Sequence, residues 1–226
     1  MFKLIPALLA AALATSLSPS AHADDAGRDS GRVKNVVMVH GAFADGSGWR
    51  PVYDDLTARG YRVSIVQNPL TSVADDVAAT NRVLDQQDGP TVLVGHSYAG
   101  TVVSEAGVDP KVSSLVYVAA RAPDAGEDFV ALSAKYPTMP VRAGTEEHDG
   151  FVSLKQDAFL KYFASDVPHA KAMQLFAVQQ PIAKTLFTDR TTASAKGSYI
   201  RGCAFNRARN DAISIRSNER TIPCAN

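Results

Sequence analysis

Cysteine is nearly absent. Two residues in 226, Cys203 and Cys224, are too few for a disulfide scaffold or a cysteine-rich metal site. Net charge is absent as well. Lys and Arg total 23 against 23 Asp and Glu, so no field of one sign draws the chain to nucleic acid or to an anionic membrane. Long apolar runs are missing too. Leu4 to Ala14 holds eleven residues and is interrupted by Pro6, where a bilayer span needs about 20. The glycine-rich stretch Gly41 to Gly48 lacks a Gly-Lys-Ser/Thr ending, which excludes a loop for a nucleoside triphosphate. No internal repeat is present. What remains is 46% apolar and 20% charged residues with 15 Gly and 12 Pro, the composition of an ordinary folded domain. The length predicts one domain, or one with an insertion.

The first residues read as an address. Lys3 gives a positive start, Leu4 to Ala14 an apolar stretch, and Ala21-His22-Ala23 a small-residue cleavage site before Asp24-Asp25. This is the three-part layout of a secretory signal peptide over residues 1–23, and it predicts an exported, periplasmic or secreted protein with no membrane span after cleavage. In an oxidising compartment Cys203 and Cys224 either pair or stay separate thiols, since the sequence does not report their distance. Residues 24–34 form a polar lead-in, and residues 35–226 form the domain.

Strands and helices alternate along that domain. Asn35 to His40, Tyr61 to Gln67, Thr91 to Val94 and Ser114 to Val118 are short β-branched runs. Between them, Trp49 to Arg59 and a segment capped at Thr71-Ser72 and running to about Gln87 have helical spacing, as does a stretch ending near Gly107. Val73, Val77 and Leu84 share one face of the second helix. Nearly continuous apolar strands separated by helices predict an α/β fold with a mostly parallel sheet covered on both faces. From Phe151 to Phe187 the spacing turns helical without strands. Phe159, Tyr162, Phe163, Met173, Leu175 and Phe176 supply the bulk of either a cap over the site or another layer of core.

The chemistry concentrates at Val92-Leu93-Val94-Gly95-His96-Ser97-Tyr98-Ala99-Gly100. A buried strand runs into glycine, one residue, serine, one residue, alanine, and then a helix. Such a turn is too tight for large neighbours, and it lifts the serine hydroxyl at the carboxyl edge of the sheet. A dinucleotide fingerprint is excluded because Ser97 stands where the middle glycine must be. A serine that attacks a carbonyl needs two donors for the developing oxyanion. Tyr98 N–H is one, directly after the nucleophile, and Ala42 N–H in His40-Gly41-Ala42-Phe43 is the other. His40 reads as a structural loop residue, since no acid is placed to orient it.

These segments resemble the α/β-hydrolase superfamily, and most closely the small esterases related to plant methyl-ester hydrolases and hydroxynitrile lyases. The likeness rests on Val39-His40-Gly41-Ala42 with Gly46 to Trp49, on Val94 to Gly100, and on Val118-Ala119-Ala120 with Ala122-Pro123-Asp124. It implies an eight-stranded, mostly parallel sheet flanked by helices, with a helical cap at about 130–190. It also implies a Ser–acid–His triad, a small-molecule ester substrate, and neither metal nor cofactor. Threonine replaces Gly41 in the related lyases, so glycine here favours ester hydrolysis.

The triad of this fold runs Ser, acid, His along the chain. Two acids compete: Glu219 by its motif and Asp211 by its distance from the cap. The histidines are His22, His40, His96, His148 and His169, so the base is unassigned and the C-terminal part reads as truncated or altered. Lys196 to Asn226 carries five arginines and no convincing buried strand. His148 and His169 read as surface residues. The expectation is a serine hydrolase for small carboxylic esters working through an acyl-enzyme and impaired in turnover. The alternative is a small-molecule binding protein that has lost catalysis on the same fold.

Overall fold

Asn35–Val39 contains one polar side chain, and it forms the first strand, β1, buried along its whole length. The computed structural model describes residues 33–134 and 136–195, without the side chains of residues 131 and 132, and two further strands as backbone only, Cys203–Phe205 and Ala212–Ser214. The expected signal peptide, the Cys203–Cys224 question, and the candidate acids Asp211 and Glu219 lie outside the described residues.

Strands β2 (Arg62–Val66) and β3 (Thr91–His96) flank β1 in parallel, and β4 (Val112–Val118) continues the sheet beside β3. Parallel neighbours need crossovers. These are α1 (Arg50–Ala58), α2 (Val73–Asp85) and α3 (Ala99–Ala106). Side chains alternate across the pleat and both faces are apolar. Val37, Val39, Leu93, Leu115 and Tyr117 pack toward α2 and α3, while Val36, Met38 and Val94 meet Trp49, Tyr53 and Leu56. Each such side chain fully withdrawn from water contributes roughly 1.5–3 kcal/mol. Ser72 caps α2 by accepting the Asp75 N–H at 3.0 Å, as its sequence predicts.

All eight residues of α3 are buried, including three polar ones. Ser104 Oγ donates to Gly100 O at 2.7 Å and lies 2.9 Å from Tyr117 Oη. Glu105 accepts the Thr192 N–H at 2.6 Å and the Thr192 hydroxyl at 2.9 Å, while Ala195 N–H donates to Ser104 O at 2.8 Å. The segment through Thr191 and Thr192 is thereby clamped over the helix, which explains a helix with no solvent face.

The region after β4 departs from the all-helical expectation. It holds α4 (Phe129–Ser133), then β5 (Thr145–His148) and β6 (Phe151–Leu154), joined by Asp149-Gly150 with φ of 50° and 79°. Asp-Gly with positive φ at both central positions is the strongest short hairpin signal, and it is followed by Phe151-Val152, although Thr145-Glu146-Glu147-His148 before it has little β propensity. Helical spacing of the later aromatics masked it. The chain continues through α5 (Gln156–Ala158), a π-helical turn at Phe159–Phe163, and α6 (His169–Ala177). It then enters β7 (Ile182–Ala183), which pairs antiparallel with β6.

Beyond residue 195 the strands β8 (Cys203–Phe205) and β9 (Ala212–Ser214) extend the main sheet to the order β2-β1-β3-β4-β8-β9. Strand β8 is parallel to β4 and β9 is antiparallel to β8. The sequence offered no convincing strand here, because three residues are too few to show a period. The described residues thus form six strands of the main sheet where the family resemblance implied eight. Among them, no helix is long and apolar enough to cross a membrane.

Replacing Glu105 by Ala leaves the Thr192 amide and hydroxyl without their acceptor. We expect a loss of roughly 1–3 kcal/mol in urea denaturation, with new protease cleavage near Thr192. An unchanged midpoint and cleavage pattern would show that the clamp does not hold this segment.

Candidate active site

The turn from β3 to α3 places Ser97 in the left-handed region, at φ 54°. A side chain there costs of order 1–3 kcal/mol and persists only where its surroundings enforce it. They do so on three sides. Ser97 N–H donates to Val118 O at 3.2 Å, and Ser97 O accepts from Gly100 N–H and from Arg121 N–H, each at 3.1 Å. Gly100 lies so close to the end of β4 that a Cβ there would overlap the Arg121 carbonyl group. The elbow is therefore pinned to β4 by backbone alone.

The loop after β1 closes on it from the other side. A Cβ on Gly41 would come within 3.0 Å of Ser97 Cβ and 3.1 Å of His96 O, so glycine lets the loop approach without displacing its neighbours. Phe43 also takes a positive φ, 57°, which turns the chain away after Ala42. The amides of Ala42 and Tyr98 donate to no acceptor among the described residues. Tyr98 directly follows Ser97 in the chain, and Ala42 follows Gly41, whose backbone lies against Ser97 Cβ. No hydrogen bond of Ser97 Oγ is present among the described residues.

Histidine positions follow from their bonds. His40 is buried, and its Nε2 lies 2.9 Å from the backbone N–H of Asn68, which can only donate. Its Nδ1 must then carry the proton, given to Gly41 O at 2.9 Å, while Asn68 Nδ2 donates to His40 O at 3.0 Å. Both ring nitrogens are occupied in fixing the loop, and burial holds the ring below the usual imidazole pKa. His96 lies edge-on to Trp49, its ring likewise lowered, first by burial and then by His40. His148 is exposed at the hairpin, 3.3 Å from Asp149, and His169 is exposed at the start of α6. None of these four is bonded to Ser97 Oγ. Among the described residues, no cluster of three His, Cys, Asp or Glu is placed to hold a metal.

A cavity of about 270 Å³ opens beside the elbow, with Gly41, His96, Trp49, Phe43, Phe159 and Phe163 among its walls. Ser97 is not one of them; the cavity meets the elbow through its neighbours Gly41 and His96. Phe43 lies edge-on to Phe163 at 6.5 Å, so the segment above the sheet touches the loop after β1.

One buried acid escaped the sequence reading. Asp76 of α2 is 0% exposed, accepts the Tyr98 hydroxyl at 2.7 Å on one oxygen, and the Leu70 N–H at 2.8 Å on the other. Burial raises its carboxyl to about 6, against the pull of those two bonds. The signal was present: Val73, Asp76, Thr80 and Leu84 recur at helical spacing, which places an acid on the inward face.

The family model described as the alpha/beta hydrolase family matches residues 36–211. A carbendazim hydrolyzing esterase of Nocardioides sp. (strain SG-4G) is 28% identical over 131 residues, covering 52% of this chain and 53% of that one. The chain thus matches about half the length of that relative. Among solved structures, polyneuridine aldehyde esterase superposes with a TM-score of 0.63 at 18% identity, over 74% of this chain and 78% of that one. A methylesterase from Arabidopsis gives 0.57 at 22% identity, over 72% of each. These two show the fold.

Asp76 takes its proton near pH 6 when folded and near 3.8 when unfolded, so its buried charge weakens the fold above about pH 6. Stability from this group is present below 3.8 and is lost as pH rises through 6. His40 and His96 act in the opposite sense, since their lowered values make acid unfavourable. Comparison with Asp76→Asn isolates the carboxyl. From pH 7.5 to pH 4.5, wild type should gain roughly 2 kcal/mol relative to the variant in denaturant titrations. Parallel profiles would contradict a buried titrating acid.

Proposed function

Because the chain belongs to the alpha/beta hydrolase family, we propose that it acts on small carboxylic esters with Ser97 as nucleophile. The observation that supports this reading is Ser97 at φ 54° on the turn from β3 to α3, with the amides of Tyr98 and Ala42 unbonded among the described residues. Ser97 Oγ attacks the ester carbonyl, and the carbonyl oxygen gains charge that the Ala42 and Tyr98 N–H groups receive. The alcohol departs, leaving an acyl-enzyme that water then cleaves. Each donor of such a pair typically lowers the barrier by about 3 kcal/mol. The curated esterase relative supports the ester class, and the cavity beside Gly41 suits a compact apolar group. Export, read from residues 1–23, is part of the same proposal.

The weak point is the proton. Ser97 must release one, and His40 is committed to Asn68 and Gly41 while His148 and His169 are exposed. We therefore propose slow turnover. Oxyanion stabilisation and binding alone retain roughly 10³–10⁴-fold acceleration over water, several powers of ten below a complete triad. The same observation favours the second reading, a binding protein that keeps the pocket without turnover.

Hydrolysis of p-nitrophenyl acetate and butyrate by the full chain decides between them. We expect a rate within that range above buffer, at least tenfold lower in Ser97→Ala. A rate typical of an efficient esterase would reveal a base at Ser97. A rate equal in wild type and Ser97→Ala would leave the binding protein.

A further inference from the structure

Asp76 is a costly residue to bury. A carboxylate withdrawn from water needs bonds to offset its lost hydration, and apolar side chains would fill the same space without that penalty. Asp76 is nevertheless 0% exposed, and Tyr98, which meets it, is 3% exposed. Its two oxygens serve different partners. Oδ2 accepts the Tyr98 hydroxyl at 2.7 Å, and Oδ1 accepts the Leu70 N–H at 2.8 Å.

Both partners sit at joints of the backbone. Tyr98 lies between Ser97, at φ 54°, and the first residue of α3. Leu70 is also left-handed, at φ 58°, and its carbonyl accepts the Ala183 N–H of β7 at 2.8 Å. A leucine keeps that conformation only where its surroundings enforce it, and the carboxylate supplies one such bond. On the other side the phenol ring is rigid, so holding its oxygen restricts the backbone at its far end. The ring packs in the main core, with the Arg121 guanidinium carbon 5.0 Å from its centre. One carboxylate thus connects the residue that receives β7 with the residue after the elbow serine.

We propose that Asp76 is a positioning residue, which sets the Tyr98 backbone N–H for the oxyanion through the Tyr98 ring and joins it to β7 through Leu70. The proposal rests on Ser97 as nucleophile with Tyr98 N–H as one of its donors. The direction of the bonds makes the charge matter. A backbone N–H only donates, so Oδ1 must accept from Leu70 and an added proton goes to Oδ2. There it points at Tyr98 and reverses that bond, leaving the phenol hydrogen without its acceptor. Asparagine does the same, with its oxygen toward Leu70 and its amide nitrogen toward Tyr98.

Steady-state hydrolysis of p-nitrophenyl butyrate by the full chain tests this in wild type, Asp76→Asn, Tyr98→Phe and the double variant. Losing a donor outright typically costs about 10²–10³ in kcat, and a displaced donor costs less. We expect each single variant to lose roughly 5- to 50-fold in kcat with KM within about twofold. The double variant should lose no more than the larger single loss, because both changes break one link. An unchanged kcat in Asp76→Asn, or losses that multiply in the double variant, overturns the proposal and leaves the pair as core packing. The Tyr98 amide signal, followed by NMR in wild type, needs neither a folded variant nor turnover. It should shift with a midpoint of about 6, where Asp76 takes its proton. The other charged groups acting on this pair are Asp75 beside it on α2, Arg121 over the ring, and Asp189, which accepts the Val73 N–H at 3.2 Å. A shifting amide with hydrolysis equal in wild type and Ser97→Ala keeps the link and removes the Ser97 reading. Hydrolysis that depends on Ser97, with an amide that does not move through that range, does the reverse.

Discussion

One crossing of backbones organises this molecule: the turn after β3 passes over the end of β4 with nothing between them. Gly100 has no room for a Cβ against the Arg121 carbonyl, and Ser97 exchanges bonds with Val118 and Arg121. Those bonds hold Ser97 in a left-handed conformation that an isolated strand-to-helix turn would relax. Tyr98, directly after Ser97, precedes α3, which starts at Ala99.

The polar groups buried around this crossing serve as its supports. His40 and Asn68 exchange bonds that fix the loop carrying Ala42. Asp76 grips the Tyr98 hydroxyl from α2, and Glu105 holds the Thr192 segment against α3. His40, Asp76 and Glu105 each meet partners inside an apolar core, while Asn68 Oδ1 is buried with no hydrogen-bond partner among the described residues.

Much of this was legible in the residues. Four β-branched runs separated by helices read directly as β1 to β4, since fully buried parallel strands lack polar alternation. The Gly-His-Ser-Tyr-Ala-Gly run showed the elbow because only small residues fit beside such a turn. Other features were hidden. The Asp149-Gly150 hairpin lay under aromatics whose spacing is helical, and β8 and β9 are three residues each, too short to carry a period. Asp76 belongs to a third class: its spacing with Val73, Thr80 and Leu84 put it on the inward face of α2, and the tertiary packing adds its bonds to Tyr98 and Leu70.

Mass-spectrometric mapping after long incubation with a fluorophosphonate probes the elbow most directly, since phosphonylation needs an exposed hydroxyl facing oxyanion donors. A single adduct on the peptide that contains Ser97, absent from Ser97→Ala, is the expected result. An adduct on another serine, or none at all, would mean that this hydroxyl is not displayed as a nucleophile.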